Sequence, residues 1–310
     1  MIDPRLATLR VFSRCGSVAA TAELTGYSPS AISAQLRELQ RVLGMQLLTK
    51  DGRGLRLTAT GRQLVSGSDA LIAQWELLRA SALEAGGQVQ SHLGIGGFSS
   101  AAAQLLAPLA AALRSARPLL EVQVLEANPA RCFDLLIAER IDLAVIVAMQ
   151  AEVHPDEDRR FEQTTLLHDP LDVILPADHR LASRETVTLE EMATDPWITD
   201  APGSAYHSLF VAAFTAVGVT PRIAHEAVEW ETLIAFVGAG LGVGLLPRLA
   251  PLGSAENVIR LPISGRGKPA RRIVAAVRMG SMGSPLIKES LNILQTRARR
   301  ILTERLESDC

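Results

Sequence analysis

Residues 19–33 read Ala19-Ala20-Thr21-Ala22-Glu23-Leu24-Thr25-Gly26-Tyr27-Ser28-Pro29-Ser30-Ala31-Ile32-Ser33. A run of small residues stops at Gly26, and Ser28-Pro29 then supplies an N-cap and a first helical position. Two short helices joined by a tight turn follow, with small side chains where they cross, which is helix–turn–helix spacing. In such a motif the second helix lies in the DNA major groove and offers its N-terminal side chains to base edges. Ser28, Ser30, Ser33, Gln35 and Arg37 are the candidate contacts on or near that face. Their hydroxyl and amide groups suit phosphates or bases, and Arg37 suits phosphate or guanine.

The flanks extend this reading. Leu6, Leu9 and Phe12, followed by Cys15, recur every three residues before Gly16 breaks the run, which predicts a helix ahead of the motif. The apolar face of the second motif helix continues through Leu36, Leu39 and Leu43 to Gly44. Beyond it, the turn Asp51-Gly52-Arg53-Gly54 and the alternating Leu55-Arg56-Leu57 predict a two-stranded hairpin. Arg53 at its tip is a further DNA candidate, a wing reaching backbone or minor groove. Residues 1–62 hold nine basic and four acidic side chains, a net of +5, so the remainder carries −7. The near-neutral total of −2 therefore conceals a basic head suited to phosphates and an acidic body.

From Thr58 to about Ala85 one long helix is expected. Leu64, Ser68, Leu71, Trp75, Leu78, Ala82 and Ala85 follow the 4,3,4,3 spacing of a two-stranded coiled-coil seam. Packing on the chain's own domains would also bury this stripe, but a partner helix is the favoured reading. After Gly86-Gly87 the pattern becomes strand–helix–strand–helix–strand: His92–Gly96, Ser100–Ala112, Glu121–Leu125, Ala130–Ala138 and Leu143–Val147. That order implies an open, largely parallel sheet. A second unit takes strand Leu171–Leu175, helix Glu190–Met192, strand Trp197-Ile198, helix Tyr206–Val217, strand Arg222–Glu226, helix Trp230–Ala239 and strand Gly242–Leu246. Strand Ile273–Val277 and helix Ser284–Leu306 close the chain and can return to the first unit.

The 310 residues, 48% hydrophobic and 21% charged, are those of an ordinary globular chain of two or three domains. Cys15, Cys132 and Cys310 are odd in number and far apart, against a disulfide framework or zinc site and in keeping with a reducing compartment. The N-terminus is charged where a secretion signal needs an apolar run, and Thr232–Pro247 is too short to span a bilayer. A cytoplasmic protein with no membrane partner is expected.

Together the residues Ala19–Leu24, Ser28–Leu36, Leu39 with Gly44, and Leu55-Arg56-Leu57-Thr58 with Gly61 resemble the DNA-binding end of LysR-type transcriptional regulators. The body matches the same family through Ile141-Asp142-Leu143-Ala144-Val145, Leu175-Pro176-Ala177-Asp178-His179-Arg180-Leu181, and Ala239-Gly240-Leu241-Gly242-Val243 with Leu246-Pro247. The resemblance covers essentially the whole chain. It implies an all-α winged helix–turn–helix domain over 1–58 and a linker and dimerisation helix over 59–87. An effector-binding domain over 88–310 follows, a two-lobed α/β domain resembling the type II periplasmic-binding-protein fold. Lobe I takes about 88–168 and 270–310, and lobe II about 169–269. The family's recognition helix often carries an arginine where this chain has Ala34.

The resemblance further implies double-stranded DNA and a small-molecule effector as partners, a homodimer or homotetramer, and no cofactor or catalytic residue. An effector cleft between the lobes would draw on strand ends and helix starts: Ser99, Ser100, Asn128, Ala148, Ser204, Glu229 and Trp230. The amide groups at Ser99-Ser100 favour an anion. Glu229 and Glu231 favour a cation. Helix capping by the serines and packing by Trp230 are the structural alternatives. A rival reading makes the chain a cytoplasmic small-molecule- or nucleotide-binding protein or an enzyme. Gly94-Ile95-Gly96-Gly97-Phe98-Ser99 imitates a dinucleotide fingerprint, but its third glycine is a serine. His154-Pro155-Asp156-Glu157-Asp158 reads as a solvated loop rather than a metal site.

Overall fold

The computed structural model describes residues 2–52, 54–86, 91–148 and 158–308. Three helices open the chain: α1 (Pro4–Cys15), α2 (Val18–Thr25) and α3 (Pro29–Leu43). Each begins on a side-chain cap, from Asp3, Ser17 and Ser28, and each ends on a glycine with left-handed backbone, Gly16, Gly26 and Gly44. Ile32, Leu36 and Leu39 of α3 close over Leu6, Leu9, Phe12 and Ala22. The hairpin β1 (Leu48–Asp51) and β2 (Gly54–Leu57) is tied to α3 by Gln40, whose Oε1 accepts from the Leu47 and Leu48 amides at 2.9 and 3.0 Å. Helix α4 (Ala59–Gly86) follows, 28 residues long.

The chain divides into two compact units. The first, drawn from Met1–Ile146, Ala151–Thr164 and Val274–Leu294, holds the helical head, α4 and the first strand–helix set. Parallel strands β3 (His92–Gly97), β4 (Glu121–Glu126) and β5 (Leu143–Val147) run in the order β4-β3-β5, with Gly97 opposite both Glu126 and Val145. Between β3 and β4 lies one helical stretch: α5 (Ser99–Ala101), a π turn (Ala102–Leu106) and α6 (Ala107–Ala116). Helix α7 (Pro129–Ile137) joins β4 to β5.

The second unit draws mainly on Thr165–Ile273. Its sheet runs β6-β9-β7-β8, where β6 is Phe161–Pro176, β7 Pro196–Thr199, β8 Arg222–Glu226 and β9 Val243–Pro247. Strands β7, β8 and β9 are parallel, while β6 is antiparallel to β9 and to β10 (Val258–Leu261). Alternation along β6 sends Val173 and Leu175 to one core, with Trp197, Phe210 and Phe214, and Ile174 to the other, with Leu233 and Val237. Helices α8 (Ala205–Ala216) and α9 (Trp230–Gly238) supply those partners, except Trp197, which belongs to β7. Strands β6 and β11 (Ala270–Arg278) each contribute residues to both units, and α10 (Pro285–Ser308) closes the chain.

Four elements differ from the sequence reading. The expected helix at Glu190–Met192 is only a turn. Thr188 and Glu191 exchange the hydrogen bonds of a capping box there, but Pro196 soon starts a strand. Strand β6 begins ten residues before the apolar run that announced it, and β10 was not expected. The π turn was not foreseen either.

Candidate functional site

The head presents α3 outward along a narrow stripe. Ser30, Ala34, Arg37 and Arg41 are exposed, and Ser33 is half-buried beside them. The Ser28 hydroxyl accepts from the Ala31 amide at 3.2 Å and lies 3.0 Å from the Ser30 hydroxyl, so Ser28 caps the helix as well as bordering its tip. Gln35 falls to one side of the stripe. It is half-buried, and its Oε1 accepts from the Thr8 hydroxyl at 2.6 Å. Arg53 lies outside the described residues, but Lys50 and Arg56 of the hairpin are exposed. Arg41 holds the Glu38 carboxyl below the usual range through a hydrogen bond of 2.6 Å. Sequence reading passed over Arg41, Lys50 and Arg56, although Arg41 continues the 30, 34, 37 spacing by another helical turn.

Part of the head's positive charge is used internally. Arg10, 6% exposed, donates to Asp69 of α4 at 2.8 Å. Arg14 donates to Asp134 of α7 at 2.5 Å. These two guanidiniums sit among carboxylates of the body, not on the α3 stripe.

Helix α4 has two sides. Ile72, Glu76 and Ala80 are buried against the chain's own residues, whereas Leu71, Trp75 and Leu78 of the expected seam are exposed. Glu76 meets buried Arg278 at 2.9 Å. Arg278 also donates to Asp142 at 2.7 Å and to the carbonyls of Ile141 and Leu136. Gly280 brings its turn so close that a side chain there would strike the Ala73 carbonyl. Own-chain packing and an open face thus coexist on one helix.

In the body, the candidates occupy the carboxyl ends of parallel strands, where open α/β sheets bind ligands. In the first unit, Ser99 and Ser100 follow β3 and Asn128 follows β4, at the same sheet edge. Ser99 is exposed and Ser100 buried. The Asn128 side chain accepts from the Arg131 amide at 2.9 Å, capping α7. Ala148, half-buried, follows β5 and falls in the second unit. In the second unit Ser204 follows β7, and Glu229 and Trp230 follow β8. Ser204 caps α8 by accepting from the His207 amide at 2.9 Å, and Glu229 is exposed without a capping bond. Trp230 meets Tyr206 edge to face at 4.9 Å. Sequence reading missed what lies behind this pair. The Tyr206 hydroxyl accepts from Arg271, which donates in turn to buried Asp169 at 2.8 Å. Burial pushes the Asp169 carboxyl upward against the pull of Arg271. No linear motif marks this set, because its members lie up to 102 positions apart.

The glycines that imitate a dinucleotide fingerprint have another use. A side chain at Gly94 would press the Arg140 carbonyl, and one at Gly97 the Val145 carbonyl at 2.8 Å, so they serve close packing against the neighbouring chain segment. Among the described residues no cluster of three or more His, Cys, Asp or Glu could hold a metal ion, and no helix is long and apolar enough to cross a membrane.

Comparison with known proteins agrees with this geometry. A family model described as the LysR substrate binding domain matches residues 86–299. A second, described as bacterial regulatory helix-turn-helix protein of the lysR family, matches residues 5–62. The HTH-type transcriptional regulator TtuA of Agrobacterium vitis is 29% identical over 283 residues, covering 90% of this chain and 91% of that protein. A full-length OxyR variant from Pseudomonas aeruginosa superposes with a TM-score of 0.66 at 19% identity, over 96% of this chain and 95% of that one. Full-length CbnR in complex with its target DNA gives 0.55 at 18% identity, over 95% and 98%. These relatives are transcription regulators rather than enzymes. With family models matched at both ends and a helix–turn–helix at its head, the chain belongs to the LysR family of DNA-binding transcription regulators.

Proposed function

We propose that this regulator works in the cytoplasm as a homo-oligomer, a dimer or tetramer. It recognises a specific operator through α3 and the hairpin wing and answers to a small-molecule effector held by its C-terminal domain. The functional division would be 1–58 for DNA, 59–87 for pairing and 88–310 for the effector. The α3 stripe carries this reading: Ser30, Arg37 and Arg41 face solvent while the opposite face of the helix is sealed in the head's core. Ser28, Ser33, Gln35 and Arg53 are the further candidates. Gel shifts with the DNA upstream of the chain's own gene test it. Specific, steeply salt-dependent binding is expected, lost on Arg37→Glu with thermal stability retained; equal affinity for random DNA would refute it.

The open side of α4 supports pairing between copies. Ser99, Ser100 and Asn128 of the first unit, and separately Ala148, Ser204, Glu229 and Trp230 of the second, are the effector candidates. Their positions at strand carboxyl ends support a ligand role, and the amide-rich start after β3 favours an anion. A thermal-shift screen of small acids, amines and aromatics identifies the class. A true effector at about 100-fold over its Kd adds about 2.7 kcal/mol. Stabilisation lost in Trp230→Ala but kept in a distant surface variant would locate the site.

A further inference from the structure

Of three attachments inside the first unit, two rest on a buried guanidinium and one does not. The head is held to the start of α4 by half-buried Leu64 and Val65 and by Arg10, 6% exposed, which meets Asp69, 34% exposed. Farther along, α4 is fixed to the body by Glu76 and Arg278, with Ala80 against Gly283. The third contact joins the head directly to the body at α7, and it is made of crossed charges. Arg14 of α1 reaches Asp134 of α7 at 2.5 Å, while Arg131 of α7 reaches Glu23 of α2 at 3.5 Å. Arg140, just after α7, points to the Leu24 carbonyl at 3.4 Å, where the last carbonyls of α2 need donors.

Each partner thus supplies one cation and one anion, so a reversed docking would oppose like charges. The side chains are half-buried in the first pair, at 32% and 26%, and exposed in the second, at 46% and 75%. Beside them opens a cavity of about 760 Å³, lined by Thr8, Tyr27 and Gln35 from the head and by Glu139 and Arg140 from the body. Pairs exposed in this way are individually marginal and weaken with salt, whereas the attachments built on buried Arg10 and Arg278 are screened much less.

We propose that α7 is a docking platform for the DNA-binding head and that this contact opens while the linker helix stays attached to the body. Closed, it braces the head as the third side of a triangle and fixes the direction of α3. Opened, it leaves that direction to the flexing of α4 alone. The platform is independent of which effector the C-terminal domain takes.

Cys15 is a built-in reporter, since its half-buried thiol lies within the field of Arg14, Asp134, Arg131 and Glu23. Hydroxyl-radical footprinting of the full-length protein reads its accessibility whatever its ionisation. Oxidation of the Cys15 peptide is expected to rise several-fold between about 0.1 M and about 1 M NaCl, as the screening length falls from about 10 to about 3 Å. Asp134→Arg should be oxidised fast at both salts, and Arg14→Asp combined with Asp134→Arg should return to the slow, salt-dependent rate. The parallel swap of Glu23 and Arg131 provides a second, independent pair. An Asp134→Arg rate equal to wild type, or swapped variants as fast as the single ones, would overturn the proposal.

Discussion

Arg278 shows what one buried side chain can hold. Its guanidinium meets two carboxylates and two carbonyls, and its removal leaves buried Glu76 with Arg79 alone and Asp142 with the Gly94 amide alone. Breaking a buried ion pair from one side costs about 3–5 kcal/mol. Arg278→Leu should lower the unfolding free energy measured by denaturant titration by about that amount, whereas Arg37→Leu on the exposed stripe should leave it nearly unchanged. Cys132 makes a pH prediction. Burial pushes its thiol up to about 12, so the folded chain keeps a proton that the unfolded chain releases near its ordinary value. The stabilising contribution is complete below that ordinary value and is lost as pH rises from there toward the folded one. Unfolding free energies of Cys132→Ala should therefore fall less steeply in alkali than those of wild type, and alkylating reagents at neutral pH should spare Cys132. Residues of the first kind were legible in the sequence only when their partners were near. Ser17, Ser28 and the stopping glycines act on their own helices and were read directly. Arg278 answers to Glu76 across 202 positions, and no local pattern announces such a bond.

At the scale of elements, apolar periodicity located most helices and strands and failed where charge is buried. Strand β10 contains Arg260, which is buried and pairs with Asp172 at 3.6 Å, so its apolar run is interrupted although the strand is inside. Strand β6 starts with Phe161 followed by four polar residues, Glu162 to Thr165, and there lacks the continuous run that marks its second half. The π turn at Ala102–Leu106 has no composition that distinguishes it from an α turn. The seam of α4 was read as wholly outward or wholly inward, and the helix does both. Leu78, 62% exposed, lies on the open side with Leu71 and Trp75. Leu78→Glu should shift sedimentation from oligomer toward monomer while far-ultraviolet circular dichroism stays that of the folded chain. A monomeric wild type, or an unaltered oligomer in the variant, would remove α4 from the pairing surface.

Across the whole molecule, the charge split at residue 62 marks a change of role, but not every basic residue of the head faces DNA. Arg10 and Arg14 are turned toward Asp69 and Asp134, a use the linear count could not foresee. The position of Asp69 has a consequence of its own. Asp69 and Glu76 are seven residues apart, so they stand within about 20° of one another around the helix and about 10 Å apart along it. Helix α4 is therefore keyed like a shaft with two teeth cut in line, one engaging the head and the other the body. A single alanine inserted between them would turn one tooth by about 100° relative to the other, and both could not engage at once. Such an insertion removes no side chain and suits a helix, yet it should lower the denaturant midpoint about as far as Arg278→Leu does. The angular phase of the head is thus written in the number of residues between two acids.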